Sequence, residues 1–259
     1  MKFIKTLAPL LLVIFFACKT KKDKDAVVCL PNNLEDGIIA YYTFGNGSLA
    51  DKSIFGHNLS NPTNAQPTPD RDGSANCAYQ FNNDSSDSEF LTFLNPAFLN
   101  SMNSFSISLW YQPLQSARLG SDYEVLVSRG QGMQCPDRRG EWSLGLYDGR
   151  KAVFGHNNSV WANLVPDSVW GAQGNIFEAS AIWHHLVCIK DNETYQLYFD
   201  AILQGSKTGS ANCGPTAQDA GELFIGKDYT GKIDDIIIYN RGLSQQEIMA
   251  LYNQEPCCQ

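Results

Sequence analysis

The sequence predicts an all-β domain, a two-sheet antiparallel β-sandwich or jelly roll closed by one short C-terminal helix. Three observations carry this. Short strand-like runs recur along the chain with turn residues between them. Several runs alternate apolar and polar positions, the period of a strand with one buried face. One helix signal alone is strong, and it falls near the C-terminus.

The runs follow in order. Residues 37–44 (Gly-Ile-Ile-Ala-Tyr-Tyr-Thr-Phe) read as the first strand, and 45–48 (Gly-Asn-Gly-Ser) as a turn. Residues 61–76, rich in Pro, Asn, Asp and Gly, read as a loop. Strands are expected over 77–81, 89–94, 104–112, 123–128, 141–147, 151–155, 181–190, 194–199, 222–225 and 232–239. In 104–112, Phe105, Ile107 and Leu109 take one face and serines the other. Ser244 and Glu247 form a capping box, and Ile248, Leu251 and Tyr252 follow as one apolar helix face. Aromatic residues make up 12% of the chain and glycine is frequent, which suits short strands and tight turns.

The N-terminus has a different character. Lys2 and Lys5 precede an almost wholly apolar run, 7–16, which is too short to cross a bilayer as a permanent helix. Ala17 then stands directly before Cys18. Ordinary secretion is one reading. The lone cysteine right after the apolar run favours another: Phe15-Phe16-Ala17-Cys18 resembles the lipobox of bacterial lipoproteins, with Phe15 departing from the usual aliphatic residue. Residues 1–17 are then a signal peptide, 18–34 a charged tether lipidated on Cys18, and 35–259 the folded domain. The run 19–25 (Lys-Thr-Lys-Lys-Asp-Lys-Asp) reads as a solvated tether that could also touch acidic headgroups. The expected location is the cell envelope, on the outer membrane. The net charge of −8 argues against nucleic acid as a partner.

Cysteine usage agrees with export. Setting Cys18 apart leaves Cys29, Cys77, Cys135, Cys188, Cys213, Cys257 and Cys258, an odd number. Cys188 lies in the strand-like run around His184 and His185 and is the expected buried free thiol. The remaining six allow about fifteen connectivities. Cys29 is expected to join Cys257 or Cys258 and tie the domain's ends. No pair has C-x-x-C spacing, so a zinc site is disfavoured.

The segment Gly231-Lys232-Ile233-Asp234-Asp235-Ile236-Ile237-Ile238-Tyr239-Asn240-Arg241-Gly242-Leu243-Ser244, with Glu247, Ile248, Leu251 and Tyr252, resembles the closing motif of bacterial laminin-G-like domains of the concanavalin A-like lectin/glucanase superfamily. Residues 37–44 with Asp51 and Gly56, the strand 104–110 ending in Trp110, and the stretch from Trp183 through Tyr195 to Asp200 match in the same order. The resemblance covers about 35–254. It implies a jelly roll, often with bound calcium, that often recognises glycans or proteins.

Calcium prefers carboxylate and carbonyl oxygens. The loop 45–51 offers Asn46 and Asp51. Strand alternation places Asp234 with Ile236 and Ile238, opposite Asp235. The resemblance implies a jelly roll whose first and last strands are neighbours, so Asp51 and Asp234 could share an ion. Alternatively Asp234 accepts N–H bonds and no ion is needed. Asp84, Asp87 and Glu89 read as a second site or, more simply, a solvated acidic loop. Glucanases of this fold carry Glu-x-Asp-x-x-Glu on the active strand; here no Glu has an Asp two residues on, and 141–147 holds only Glu141. Catalytic residues are therefore not expected. Trp161 and Trp170, amid Asn157, Asn158 and Asp167, could stack on sugar rings, with Tyr147 extending the platform; as core residues they would only cover a sheet edge. His184 and His185, adjacent on a strand, point to opposite faces and cannot chelate one ion. The expected function is non-catalytic binding of a glycan or an envelope or extracellular protein. A hydrolase with atypical carboxylates and a structural or adhesion component are the alternatives.

Overall fold

The computed structural model describes residues 29–83, 88–100, 102–114, 123–130, 140–147, 151–156, 182–208 and 221–258. The strands are β1 (Ile38–Tyr42), β2 (Gln66–Thr68), β3 (Ala78–Phe81), β4 (Leu91–Phe93), β5 (Ser104–Pro113), β6 (Tyr123–Gly130), β7 (Gly140–Tyr147), β8 (Lys151–His156), β9 (His184–Asp191), β10 (Thr194–Phe199), β11 (Ile202–Thr208), β12 (Leu223–Ile225) and β13 (Gly231–Tyr239). Helix α1 (Gln245–Tyr252) follows. They form two antiparallel sheets. The eight-stranded sheet runs β11-β10-β9-β5-β13-β3-β2, with β1 also on β13; the five-stranded sheet runs β4-β12-β6-β7-β8. The first and last strands are neighbours, as expected: Tyr41 pairs with Ile237.

Period-2 alternation sorts the side chains into two cores. Phe105, Ile107, Leu109 and Tyr111 of β5 point between the sheets and meet Leu126, Leu144, Val153, Leu186 and Cys188. The opposite face of the large sheet presents Val187, Ile189, Ile237 and Tyr239, which pack under Leu30, Leu34, Leu243, Ile248 and Leu251. The helix is held by the expected capping box: Ser244 Oγ accepts from Glu247 N–H, and Ser244 N–H donates to Glu247 Oε2 at 2.8 Å. Arg241 donates to Glu247 at 2.6 Å, and that bond, with the Ser244 contacts, holds the Glu247 carboxyl down at about 2.

Two disulfides tie down the tail. Cys29 bonds Cys257 and Cys77 bonds Cys258, each with Cα atoms 5.2 Å apart. Loops of this length correspond to about 5 kcal/mol each by chain entropy alone. Cys188 is free and buried, as expected, and burial pushes its thiol well up. Cys135 and Cys213 lie outside the described residues, as does Cys18.

Two strands escaped sequence reading. β2 falls within the expected loop 61–76 and contains Pro67, which an edge strand tolerates because the donor that proline lacks is not needed on the side facing away from the sheet. β11 is the opposite edge, and its Gln204, Gly205 and Ser206 break the apolar alternation.

The expected phase of Asp234 is corrected. Asp234 pairs with Trp110 on the outer face, not with the inward Ile236 and Ile238. The cause is a β-bulge: the register shifts between Asp234 and Ile237, and Asp235 takes φ 44°. The extra residue turns both carboxylates outward.

Candidate functional site

Asp51 organises the loop after β1. Its Oδ1 accepts N–H bonds from Tyr41 and Ser53, both at 2.8 Å. Its Oδ2 accepts the Ser53 hydroxyl at 2.6 Å and His57 N–H at 2.8 Å. His57 Nδ1–H donates to the Ile39 carbonyl at 2.9 Å. The segment between Ser53 and His57 is thereby pinned to β1, with Gly56 at φ 70° making the turn. The His57 ring stacks 3.7 Å from Phe98 and 5.8 Å from Phe55, both nearly parallel. A cavity of about 470 Å³ lies beside this loop, lined by Cys29, Leu30, Glu35, Ile38, Tyr41, Thr43, Lys52, Ser53, Ile54 and Cys257. Its walls are mainly apolar, with Lys52 and Glu35 as the charges.

A second acidic centre sits under α1 and the tail. Arg71 donates to Asp235 at 2.7 Å, to Asp234 at 3.4 Å and to the Gln254 carbonyl at 2.8 Å. Its guanidinium lies 4.5 Å over the Trp110 ring, whose plane is stacked on Tyr252. Burial and mutual repulsion raise Asp234 well above the usual carboxylate range, and burial raises Asp235 to about 6. His185, pushed down to about 3 by burial, stays neutral and hydrogen-bonds Ser108 at 2.8 Å. A cavity of about 10 Å³, room for roughly one water, adjoins Tyr41, Arg71, Ser108, Trp110, His185 and Asp235.

The two histidines face opposite ways, as expected. His184 turns toward Tyr111 and Phe199 on the inner face, while His185 contacts Trp110 on the outer. Asp200 serves both, taking His184 Nδ1–H at 2.9 Å and His185 N–H at 2.8 Å.

The expected calcium ligands do not form one donor set. Among the described residues, the group of three or more His, Cys, Asp or Glu donors close enough to hold an ion is Asp70, Cys77 and Cys258, and its sulfurs are joined in a disulfide. Asp51 is filled by N–H and O–H donors, Asp234 is held by Arg71 and by Asp235 N–H, and Asn46 lies in the turn after β1 at φ 57°. A shell of hydrogen-bond donors suits a carboxylate and repels a cation, so these residues as arranged do not fit calcium. Glu89 accepts Asn82 N–H at 2.7 Å and closes its loop; Asp84 and Asp87 lie outside the described residues.

Trp161, Trp170, Asn157 and Asn158 also lie outside the described residues. Tyr147 ends β7, paired with Tyr123 and Lys151. Sequence reasoning missed Arg71, hidden in a loop of Pro, Asn and Asp. It also missed Ile54 and Phe55, whose exposure no periodicity reveals.

Two twisted antiparallel sheets, the last strand beside the first and a helix closing the outer face define a lectin-type β-sandwich. The chain belongs to the concanavalin A-like lectin/glucanases superfamily, whose Laminin_G_3 model matches residues 84–249. A comparison with curated proteins finds no match. Among solved structures, the chain is similar to the binding domain of Paraclostridial Mosquitocidal Protein 1, with 19% identity, a TM-score of 0.58, and 85% of this chain and 52% of that one covered. It is also similar to the binding domain of botulinum neurotoxin DC in complex with rat synaptotagmin II, at 14% identity and TM-score 0.59, covering 85% and 52%. The same neurotoxin domain in complex with SialylT gives 13%, 0.58, 85% and 51%. The chain thus spans about half the length of these structures, and the likeness is one of fold.

Proposed function

We propose that the protein is a non-catalytic binding domain, held outside the cytoplasm by lipid on Cys18, that recognises a glycan or protein through loops at one edge of the sandwich. One observation carries the reading. Each of the five buried carboxylates among the described residues, Asp51, Asp70, Glu124, Asp234 and Asp235, accepts a backbone N–H bond. These acids hold loops and strand ends in place. Glycoside hydrolysis instead needs two carboxylates flanking a scissile bond in an open cleft. The neighbouring pair Asp234 and Asp235 is buried and shares one arginine.

The solved structures of similar fold support recognition as the role, since one is in complex with a protein and another with SialylT. For this chain the expected platform is Trp161 and Trp170 with Asn157, Asn158 and Tyr147. Aromatic faces would stack on sugar rings and amides would bind hydroxyls. Binding should be measured on polysaccharide and matrix-protein arrays, with Trp161→Ala/Trp170→Ala as the partner sample. Capture by the wild type that the double variant loses is expected; no capture by the wild type on either array would contradict the reading.

A further inference from the structure

We propose that the loop carrying Ile54 and Phe55 is a membrane contact, resting on the same bilayer that holds the lipid on Cys18. This contact presupposes the lipid anchor of the preceding reading. Ile54 is 93% exposed and Phe55 53%, in a domain whose other large apolar side chains are mostly buried. The loop is not loose: Asp51 clamps both of its ends, and Phe55 sits on the His57–Phe98 stack. A rigid loop that holds an isoleucine and a phenylalanine out in water is suited to meeting an apolar phase.

Position selects the bilayer as that phase. Ile54 and Cys29 line one cavity, so the loop stands beside the point where the chain enters the domain. Cys29 is eleven residues from Cys18. Eleven residues of a random coil span about 18 Å, close to the radius of gyration of about 17 Å for a domain of this size. The face bearing Cys29 is therefore kept within about one domain radius of the membrane. The other exposed apolar pair, Ile202 and Leu203, lies on β11, four strand spacings or about 19 Å from β13. Lys52 stands next to the loop and is suited to anionic headgroups. Two side chains alone bind a bilayer weakly. A short tether raises their local concentration to the millimolar range, where weak contacts become occupied.

The test uses the full lipidated chain in phosphatidylglycerol/phosphatidylethanolamine vesicles, with Phe55→Trp as reporter after subtraction of the wild-type signal from the five native tryptophans. Mass analysis of the N-terminal peptide verifies the lipid on Cys18. The added tryptophan should shift to the blue and be quenched by lipids brominated along the acyl chain. Adding Ile54→Asp should abolish the quenching without moving Tm, since that side chain touches almost nothing. An unquenched reporter on a chain whose Cys18 lipid is confirmed would overturn the contact and leave the loop to a protein ligand. An N-terminal peptide without lipid would overturn the anchor, and the contact with it.

Discussion

Asp51, in the loop after β1, and the Asp234–Asp235 pair, on the neighbouring strand β13, are buried acids held in opposite ways. Asp51 has no arginine; four neutral donors surround it, three of them peptide N–H groups. Asp234 and Asp235 lean on one guanidinium, with Asp70 close enough to add its own repulsion. Dipoles that do not move stabilise a lone carboxylate without bringing a second charge inside. At the pair, burial raises both carboxyls first, and one cation shared among several acids does not offset it, so they hold their protons more tightly. The first arrangement fixes a loop; the second is a clamp for the tail, joined to Gln254 and to the backbone of Cys257.

The largest effect expected from this contrast is at Arg71. Arg71→Met leaves the carboxylates with no cation and should cost about 4 kcal/mol in denaturant unfolding. A loss under about 1 kcal/mol would mean the pair is already neutral at pH 7. Asp51→Asn keeps the shape but sets an NH₂ group against N–H donors. It should cost about 3 kcal/mol, with the loop from Ser53 to His57 losing hydrogen-exchange protection before the sheets do.

The pH response separates the two sites further. Asp235 binds its proton more tightly folded, with a pKa of about 6 against an ordinary 3.8. Between those values the native state holds more protons than the unfolded chain, so this group's contribution improves as pH falls from about 6 toward 4. His185 acts the other way: lowered to about 3, it is neutral when folded while the unfolded ring gains a proton below 6.5. The wild-type curve mixes the two. The difference in Tm between wild type and Asp235→Asn cancels the histidine and should move in the wild type's favour on going from pH 7 to pH 5. A flat difference would place Asp235 among ordinary ionised carboxylates.

The smallest expected effect is on metal removal. Because Asp51 is filled by donors, a chelator should change the Tm of wild type and of Asp51→Asn equally; a drop that Asp51→Asn no longer shows would reveal a cation in that loop.

Much of the fold was legible because strands and their turns obey local rules. The alternation of Phe105, Ile107 and Leu109, the neighbouring first and last strands, the capping box at Ser244 and the isolated thiol of Cys188 all follow from spacing, chemistry or family likeness. The bulge at Asp235 was not legible. Alternation was extended through a residue whose positive φ breaks it, and nothing local in Asp-Asp-Ile marks the break. The edge strands β2 and β11 were hidden because an edge needs neither a second ladder nor a buried face. Arg71 and the Ile54–Phe55 tip depend on tertiary placement, which periodicity does not encode. For the platform of Trp161 and Trp170, sequence supplies residue types without their geometry.

The buried acids among the described residues hold structure, and the function proposed for the chain is recognition. The most direct test is to incubate the lipidated protein with labelled polysaccharides and matrix proteins and to follow capture and ligand size together. The account predicts capture with the size distribution unchanged over prolonged incubation. Progressive shortening of a captured polymer, lost on substitution of a carboxylate that leaves the fold intact, would contradict it.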